Sequence, residues 1–145
     1  MFEEFEQERN RLVNSLVSRG YITDREVEKA MKRVPREEFI PPEIRDEAYV
    51  DTPLPIGEGQ TISAPHMVAI MAERLQLKPG HKVLEIGAGS GYHAAVCAEI
   101  IAPDGHMYTI ERIASLANFA ENNLKRTGYG ALVTVIFGDG TKGLP

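Results

Sequence analysis

Cysteine is scarce: Cys97 is the only one in 145 residues, which excludes an internal disulfide and a cysteine-built zinc site. No apolar run approaches the roughly 18 to 20 residues of a membrane-spanning helix. Residues Met1 to Arg11 are acidic and hold no apolar stretch, so no secretory signal is expected. Basic charge is also short, with 16 Lys and Arg against 21 Asp and Glu and a net charge of −5. Nucleic-acid and membrane-surface binders want a basic face, and none is visible, so neither partner is expected. The histidines (His66, His81, His93 and His106) show no helical metal spacing, so no metal is expected. Repeats and low-complexity tracts are absent. With 43% hydrophobic and 26% charged residues, the composition is that of a globular chain with one core. The expectation is a cytoplasmic protein forming one structural domain.

Three segments differ in pattern. Residues 1–50 are charged and helical. A first helix is predicted from Phe2 to about Ser18, with Phe5, Leu12, Val13, Leu16 and Val17 mostly on one face and Gly20 as its stop. A second follows a Thr23–Glu26 capping box, buries Val27, Ala30, Met31 and Val34, and ends at Pro35. Residues 51–65 carry Pro53, Pro55 and Pro65 with Gly57 and Gly59, which predicts a stiff extended loop. From residue 66 the pattern alternates. A helix capped by Ser63 is expected to bury Met67, Val68, Ile70, Met71 and Leu75. Strands at 82–86, 106–111 and 131–137 then alternate with helices at 92–101 and 113–127. That order predicts an α/β fold with a parallel sheet.

The strongest chemical signal is the glycine run Gly87, Gly89 and Gly91, preceded by Glu85, between a predicted strand and a predicted helix. Glycines allow a tight turn and close approach of a ligand, and a helix start offers free N–H groups. Tyr92 stands where a dinucleotide fingerprint needs its last glycine, which disfavours a nicotinamide dehydrogenase. The looser spacing is that of S-adenosylmethionine-dependent methyltransferases. Glu111, at the end of the second strand, is placed to accept both hydroxyls of a ribose. Asp139, between glycines at the end of the third, is placed to accept an adenine amino proton or simply to close a turn. Ser63 has no histidine–aspartate pattern beside it in sequence, although His66 is one helical turn on. Its spacing alone fits a helix cap. Cys97 reads as a small buried residue in an alanine-rich helix, and Tyr92 and His93 as ligand contacts or packing.

Gly59-Gln-Thr-Ile-Ser-Ala-Pro-His-Met67 then names a family. With Val83-Leu-Glu-Ile-Gly-Ala-Gly-Ser-Gly91, Tyr108-Thr-Ile-Glu-Arg112, Phe137-Gly-Asp-Gly-Thr141 and Arg36-Glu-Glu-Phe-Ile40, it resembles the protein-L-isoaspartate O-methyltransferases, most closely the archaeal ones, along nearly the whole chain. The resemblance implies a Rossmann-like methyltransferase fold with an N-terminal helical extension. It also implies transfer of methyl from S-adenosyl-L-methionine, leaving S-adenosyl-L-homocysteine, to the free α-carboxylate of L-isoaspartyl residues in damaged proteins. It raises Ser63 from helix cap to active-site residue. It assigns Gln60, Thr61, Ile62, Ser63, Ser90, Glu111, Arg112, Asp139 and Gly140 to the cofactor site, beside Glu85, Gly87, Gly89 and Gly91. Pro53, Leu54, Pro55, Ile56 and His66 fall on the substrate side. The segments become a helical part (1–50), a substrate-side loop (51–65) and the N-terminal half of a methyltransferase domain (66–145).

Family members run on beyond residue 145, by the resemblance, with further strands including a neighbour for the strand at Val83–Ile86. An incomplete sheet is therefore expected, with one apolar edge open to self-association. The end at Gly143-Leu-Pro145 has no terminal look. An RNA methyltransferase is disfavoured by the charge of −5. A non-catalytic S-adenosylmethionine-binding fragment or interaction module is the alternative.

Overall fold

Apolar residues at helical spacing in the first 18 positions produce α1, Phe2–Ser18, in the computed structural model, which describes residues 2–143. Met1, Leu144 and Pro145 lie outside the described residues, and with them the outer limits of the first and last predicted segments and the look of the chain end. Val13 and Leu16 are buried, while Val17 turns outward. Gly20 adopts φ +83°. The N–H groups of Gly20 and Tyr21 return to the carbonyls of Val17 and Leu16, a closure of the last turn that favours glycine. Helix α2, Arg25–Arg33, is followed by Val34, and Val27, Ala30, Met31 and Val34 are all buried as predicted. Its cap differs: the Asp24 carboxylate accepts the Glu26 N–H at 2.8 Å. The Thr23–Glu26 box does not form, because Glu73 takes the N–H and hydroxyl of Thr23 and the N–H of Asp24 at 2.6–3.0 Å. Two short 3-10 turns, Arg36–Phe39 and Pro42–Glu47, complete this part.

The expected stiff loop is instead a small hairpin. Strand β1, Leu54–Gly57, pairs antiparallel with β2, Gln60–Ile62, Leu54 opposite Ile62 and Pro55 opposite Thr61. Alternation explains it: Leu54, Ile56 and Ile62 are buried, while Pro55, Gly57 and Gln60 face out. A two-stranded hairpin leaves each strand an unpaired side, so proline is tolerated where a central strand would exclude it. The turn, Gly57-Glu-Gly59, has positive φ at all three residues.

Helix α3, Pro65–Arg74, has Ala64 at its N-cap and no capping bond from that residue. Ser63 is not the cap. The Asp51 carboxylate supplies it from a distance, accepting the His66 N–H at 2.9 Å. The buried face of α3 matches the predicted one at Val68 alone. Pro65, Val68, Ala69 and Ala72 are buried and Ile70 is half-buried, while Met67, Met71 and Leu75 remain 45%, 43% and 49% exposed.

Strands β3 (Lys82–Ile86), β4 (His106–Glu111) and β5 (Val133–Phe137) alternate with α4 (Tyr92–Ile101) and α5 (Ala114–Arg126), close to the predicted bounds. The sheet is parallel in the order β3–β4–β5. The row Val83–Met107–Val133 and the row Glu85–Thr109–Val135 face the helices, where Met107, Thr109 and Val133 are buried. Cys97 and its neighbours Ala94, Ala95, Val96 and Ala98 are fully buried there. On the opposite face Leu84 and Ile86 stand 44% and 63% exposed. Among the described residues β3 pairs with β4 alone. The buried residues of α1, α2, the hairpin, α3 and the sheet join in one core.

Candidate functional site

The glycine turn leaves β3 and opens α4. Gly87 continues the ladder, its N–H donating to the Ile110 carbonyl at 2.7 Å. Gly91 is the N-cap of α4 at φ +89°. A Cβ there would press on Leu124 at 3.2 Å and the Ala120 carbonyl at 3.3 Å, so glycine serves both the turn and the approach of α4 to α5. The Gly89 N–H donates to Glu111 Oε1 at 3.0 Å, and the Ile113 N–H donates to Oε2 at 3.1 Å. Glu111 is 5% exposed, so this carboxylate is held rigidly with one backbone donor on each oxygen. Ser90 is buried. Its hydroxyl accepts the Tyr92 N–H, and its carbonyl accepts the Asn123 side-chain amide.

Glu85 joins a polar chain through the covered face of the sheet. The Thr109 hydroxyl donates to its Oε1 at 2.7 Å, and His93 Nδ1 lies 3.3 Å from Oε2. Burial opposes charge on His93, but the Cys97 thiol and the Glu85 carboxylate outweigh it and push the imidazole pKa up to about 10. His93 Nε2 is buried without a hydrogen-bond partner. Tyr92 packs edge-on against Phe39 and beneath Arg36. Both residues, read as ligand contacts or packing, pack in this way and also line the cleft described below.

At the far ends of β4 and β5, Arg112 and Asp139 are exposed or nearly so. Asp139 Oδ1 accepts both the N–H and the hydroxyl of Thr141, closing the turn Gly140–Lys142. These bonds hold the Asp139 carboxyl below its ordinary range, with a smaller contribution from Arg112. A Cβ on Gly140 would collide with the Ile86 side chain.

On the hairpin side, Ser63 is exposed. Its carbonyl accepts from Arg36 Nη1 at 3.0 Å. Asp51 holds His66 twice, through the backbone N–H and through Nδ1 at 2.9 Å. An aspartate–histidine pair therefore does lie beside Ser63, formed across 15 positions of chain where local sequence displays none. Leu54 and Ile56 turn their side chains into the core, leaving Pro55 and Gly57 exposed on that strand and Pro53 exposed just before it. The hairpin crosses the glycine turn, with Ile56 3.6 Å from where a Gly89 Cβ would sit. At its tip Glu58 accepts from the Ser115 hydroxyl at 3.0 Å.

A cleft of about 350 Å³ gathers Thr61, Ile62 and Ser63 with Glu85, Gly87, Gly89 and Ser90. Met71, Leu75, Leu84 and Ile86 form its apolar wall. Gly91 and Glu111 adjoin it through the turn. Gln60 stands on the exposed hairpin, Arg112, Asp139 and Gly140 at the sheet ends, and His66 in the first turn of α3, all outside the cleft lining. Sequence reasoning missed Thr109 and gave no individual role to Arg36, within the 36–40 motif, or to Asp51, at the start of the substrate-side loop; Arg36, Asp51 and Thr109 reach the site over 27, 15 and 24 positions. Only their incorporation into elements that pack together could have revealed them.

The family profile of protein-L-isoaspartate (D-aspartate) O-methyltransferase matches residues 7–145. A protein-L-isoaspartate O-methyltransferase from Methanopyrus kandleri is 64% identical over 141 residues, covering 97% of this chain and 62% of that protein. One from Hyperthermus butylicus is 62% identical over 150 residues, 99% of this chain and 62% of the relative. The chain thus spans about 62% of the length of these curated relatives. Among solved structures, a Plasmodium falciparum protein-L-isoaspartate O-methyltransferase in complex with S-adenosyl-L-homocysteine aligns with a TM-score of 0.80 and 33% identity, over 90% of this chain and 62% of that one. Another protein-L-isoaspartate O-methyltransferase structure aligns with a TM-score of 0.83 and 32% identity, over 94% of this chain and 44% of that one. The fold is therefore the Rossmann-like methyltransferase fold with an incomplete sheet, and the chain belongs to the protein-L-isoaspartate O-methyltransferase family.

Proposed function

We propose that the chain carries the methyl-transfer site of a protein-repair enzyme, which methylates the free α-carboxylate of L-isoaspartyl residues in damaged proteins using S-adenosyl-L-methionine. The observation that carries this reading is the cleft in which Thr61 and Ser63 face the glycine turn. The residues present fit the cofactor. Each Glu111 oxygen has a single backbone donor, so each retains a lone pair for a ribose hydroxyl. Both Asp139 bonds fall on Oδ1, which leaves Oδ2 for an amino group. Gln60 to Ser63, Glu85 to Gly91, Glu111, Arg112, Asp139 and Gly140 would hold it. When bound, the cofactor supplies a methyl group activated by a positively charged sulfur.

An α-carboxylate is ionised at pH 7 and acts as its own nucleophile. The protein's task is therefore positioning rather than proton removal. Ser63 donates a hydrogen bond that orients the carboxylate, and a moderate bond serves better than one that over-stabilises the ground state. The Asp51–His66 pair is not required as a base for such a nucleophile. It fixes the start of α3, and with it the backbone next to Ser63. Pro53 and Pro55 offer a stiff exposed edge for the substrate chain. In this reading residues 1–50 support the site, 51–65 face the substrate and 66–145 hold the cofactor. The setting is cytoplasmic, where a lone buried thiol is ordinary. The net charge of −5 gives no support to a nucleic-acid partner.

The test is transfer of radiolabelled methyl to an isoaspartyl peptide, with the normal aspartyl peptide as control. Label on the isoaspartyl peptide alone is expected. Ser63→Ala should lower turnover by roughly ten- to a thousandfold, the range of one lost positioning contact of about 1.4–4 kcal/mol. Wild-type turnover in that variant would remove Ser63 from the mechanism.

A second reading is favoured by the open edge of β3 and the exposure of Leu84 and Ile86. Here the chain binds the cofactor without transferring methyl and associates with another copy through that edge. Calorimetric binding of S-adenosyl-L-homocysteine by a chain that labels neither peptide, and that sediments as a dimer, would select it.

A further inference from the structure

Arg36 is fully buried, yet no carboxylate pairs with it by hydrogen bond. Its Nε donates to the Ala48 carbonyl at 2.8 Å, Nη1 to Ser63 at 3.0 Å and Nη2 to Thr52 at 3.4 Å. The guanidinium also lies over the Tyr92 ring, 5.1 Å from its centre. Arg9 makes the contrast, since its guanidinium meets the Glu37 carboxylate and the Tyr49 hydroxyl. The Asp51 carboxylate acts on Arg36 by charge without a hydrogen bond, and a buried cation hydrogen-bonded only to neutral carbonyls recovers less of its desolvation cost than a directly paired one. Satisfying those carbonyls is one part of what Arg36 does; its geometry points to another.

The planar fork spans the places where the two halves of the site meet. Thr52 lies two residues before the hairpin, Ser63 directly follows it, and Tyr92 is the first residue of α4 after the glycine turn. Building on the function proposed above, we infer that Arg36 is a positioning residue. It clamps both ends of the substrate-side hairpin to the start of α4 and so sets where the Ser63 hydroxyl stands relative to the glycine turn. Its hydrogen bond goes to the Ser63 carbonyl, which leaves the hydroxyl free for the substrate. A lysine cannot replace it: one ammonium at the end of a flexible stem does not reach three carbonyls in fixed directions.

The test compares Arg36→Lys and Arg36→Met with the wild-type chain by amide hydrogen exchange and by methyl transfer. The amides of Leu54 to Ile62 and of His66 should exchange about tenfold faster or more, while those of β4 and α5 keep their rates, as in a local opening. Turnover should fall roughly ten- to a hundredfold, as expected of a misplacement near 1 Å, with the KM for S-adenosyl-L-methionine within about twofold. Acceleration spread evenly over the whole molecule would mean a merely structural residue and would overturn the inference. So would unchanged exchange in the hairpin, or full turnover in either variant. Arg36→Met avoids placing a second unsatisfied charge and keeps the experiment readable if Arg36→Lys fails to fold. A wild-type chain that binds S-adenosyl-L-homocysteine but transfers no methyl would sink the repair reading instead. Arg36 is then judged on exchange alone, with local loosening upholding the clamp and even or absent loosening overturning it.

Discussion

The two faces of β3 have opposite environments although five consecutive residues supply both. Val83 and Glu85 look toward the helices, where Glu85 is bonded to Thr109 and His93 and the neighbouring Met107 is 1% exposed. Leu84 and Ile86 look the other way and stand 44% and 63% exposed. Parallel strands are usually covered on both faces. The sequence of β3 is written for that situation, since its two outward residues are as apolar as a core position. The lesson is that local sequence encodes the demand for burial but not whether anything meets it.

Three measurements would break or sharpen that contrast. The largest effect should come from the covered face. Met107→Ala removes a buried side chain and should cost about 2–5 kcal/mol in denaturant unfolding. A cost under about 1 kcal/mol would show that face to be loosely packed. Next is the charge network on the same face. The His93 pKa is raised by Cys97 and Glu85, so its contribution is fully present below the unfolded value of about 6.5 and is lost as pH rises toward about 10. Stability should decline by up to a few kcal/mol across that interval, and His93→Gln should flatten the decline. Equal slopes for both proteins would show that His93 is not charged in the fold. The smallest effect on folding belongs to the open face: Ile86→Ser should change stability by no more than about 0.5 kcal/mol. The same substitution should weaken any self-association seen by sedimentation. A loss like that at Met107 would mean that the open face is covered in solution.

The regular elements were legible because their periods are clear. Both N-terminal helices and the three parallel strands fall where spacing and glycines put them, and Gly20 ends α1 by the expected chemistry. The hairpin at residues 54–62 was not, because Pro53 and Pro55 argue against strands. The alternation of Leu54 and Ile56 carried the better signal. Two caps were misread for one reason. Thr23 and Ser63 are good local caps, but Glu73 takes Thr23, and Asp51 takes over at α3. Such substitutions depend on tertiary neighbours, which propensity cannot see. For the candidate site, the glycine run, Glu111 and the residues around Ser63 were visible as patterns, and the geometry brings many of them to one cleft. Their supports were not legible as such: Thr109 is a single polar residue in a strand, and Arg36 and Asp51 lie in stretches that stood out, but their contacts come from what folds against them.

The hairpin is tethered unequally. At its base, Asp51 holds His66 and Arg36 holds the flanking carbonyls, in surroundings that are buried or half-buried. At its tip, one exposed hydrogen bond joins Glu58 to Ser115. Exposed bonds open at little cost and protected ones do not. The side chains of Leu54, Ile56 and Ile62 add a second anchor, since all three are buried in the core. The hairpin is thus a fixed wall with one loose corner: local opening is cheapest at the tip, Gly57 to Gly59, while Ser63 at the base keeps its place.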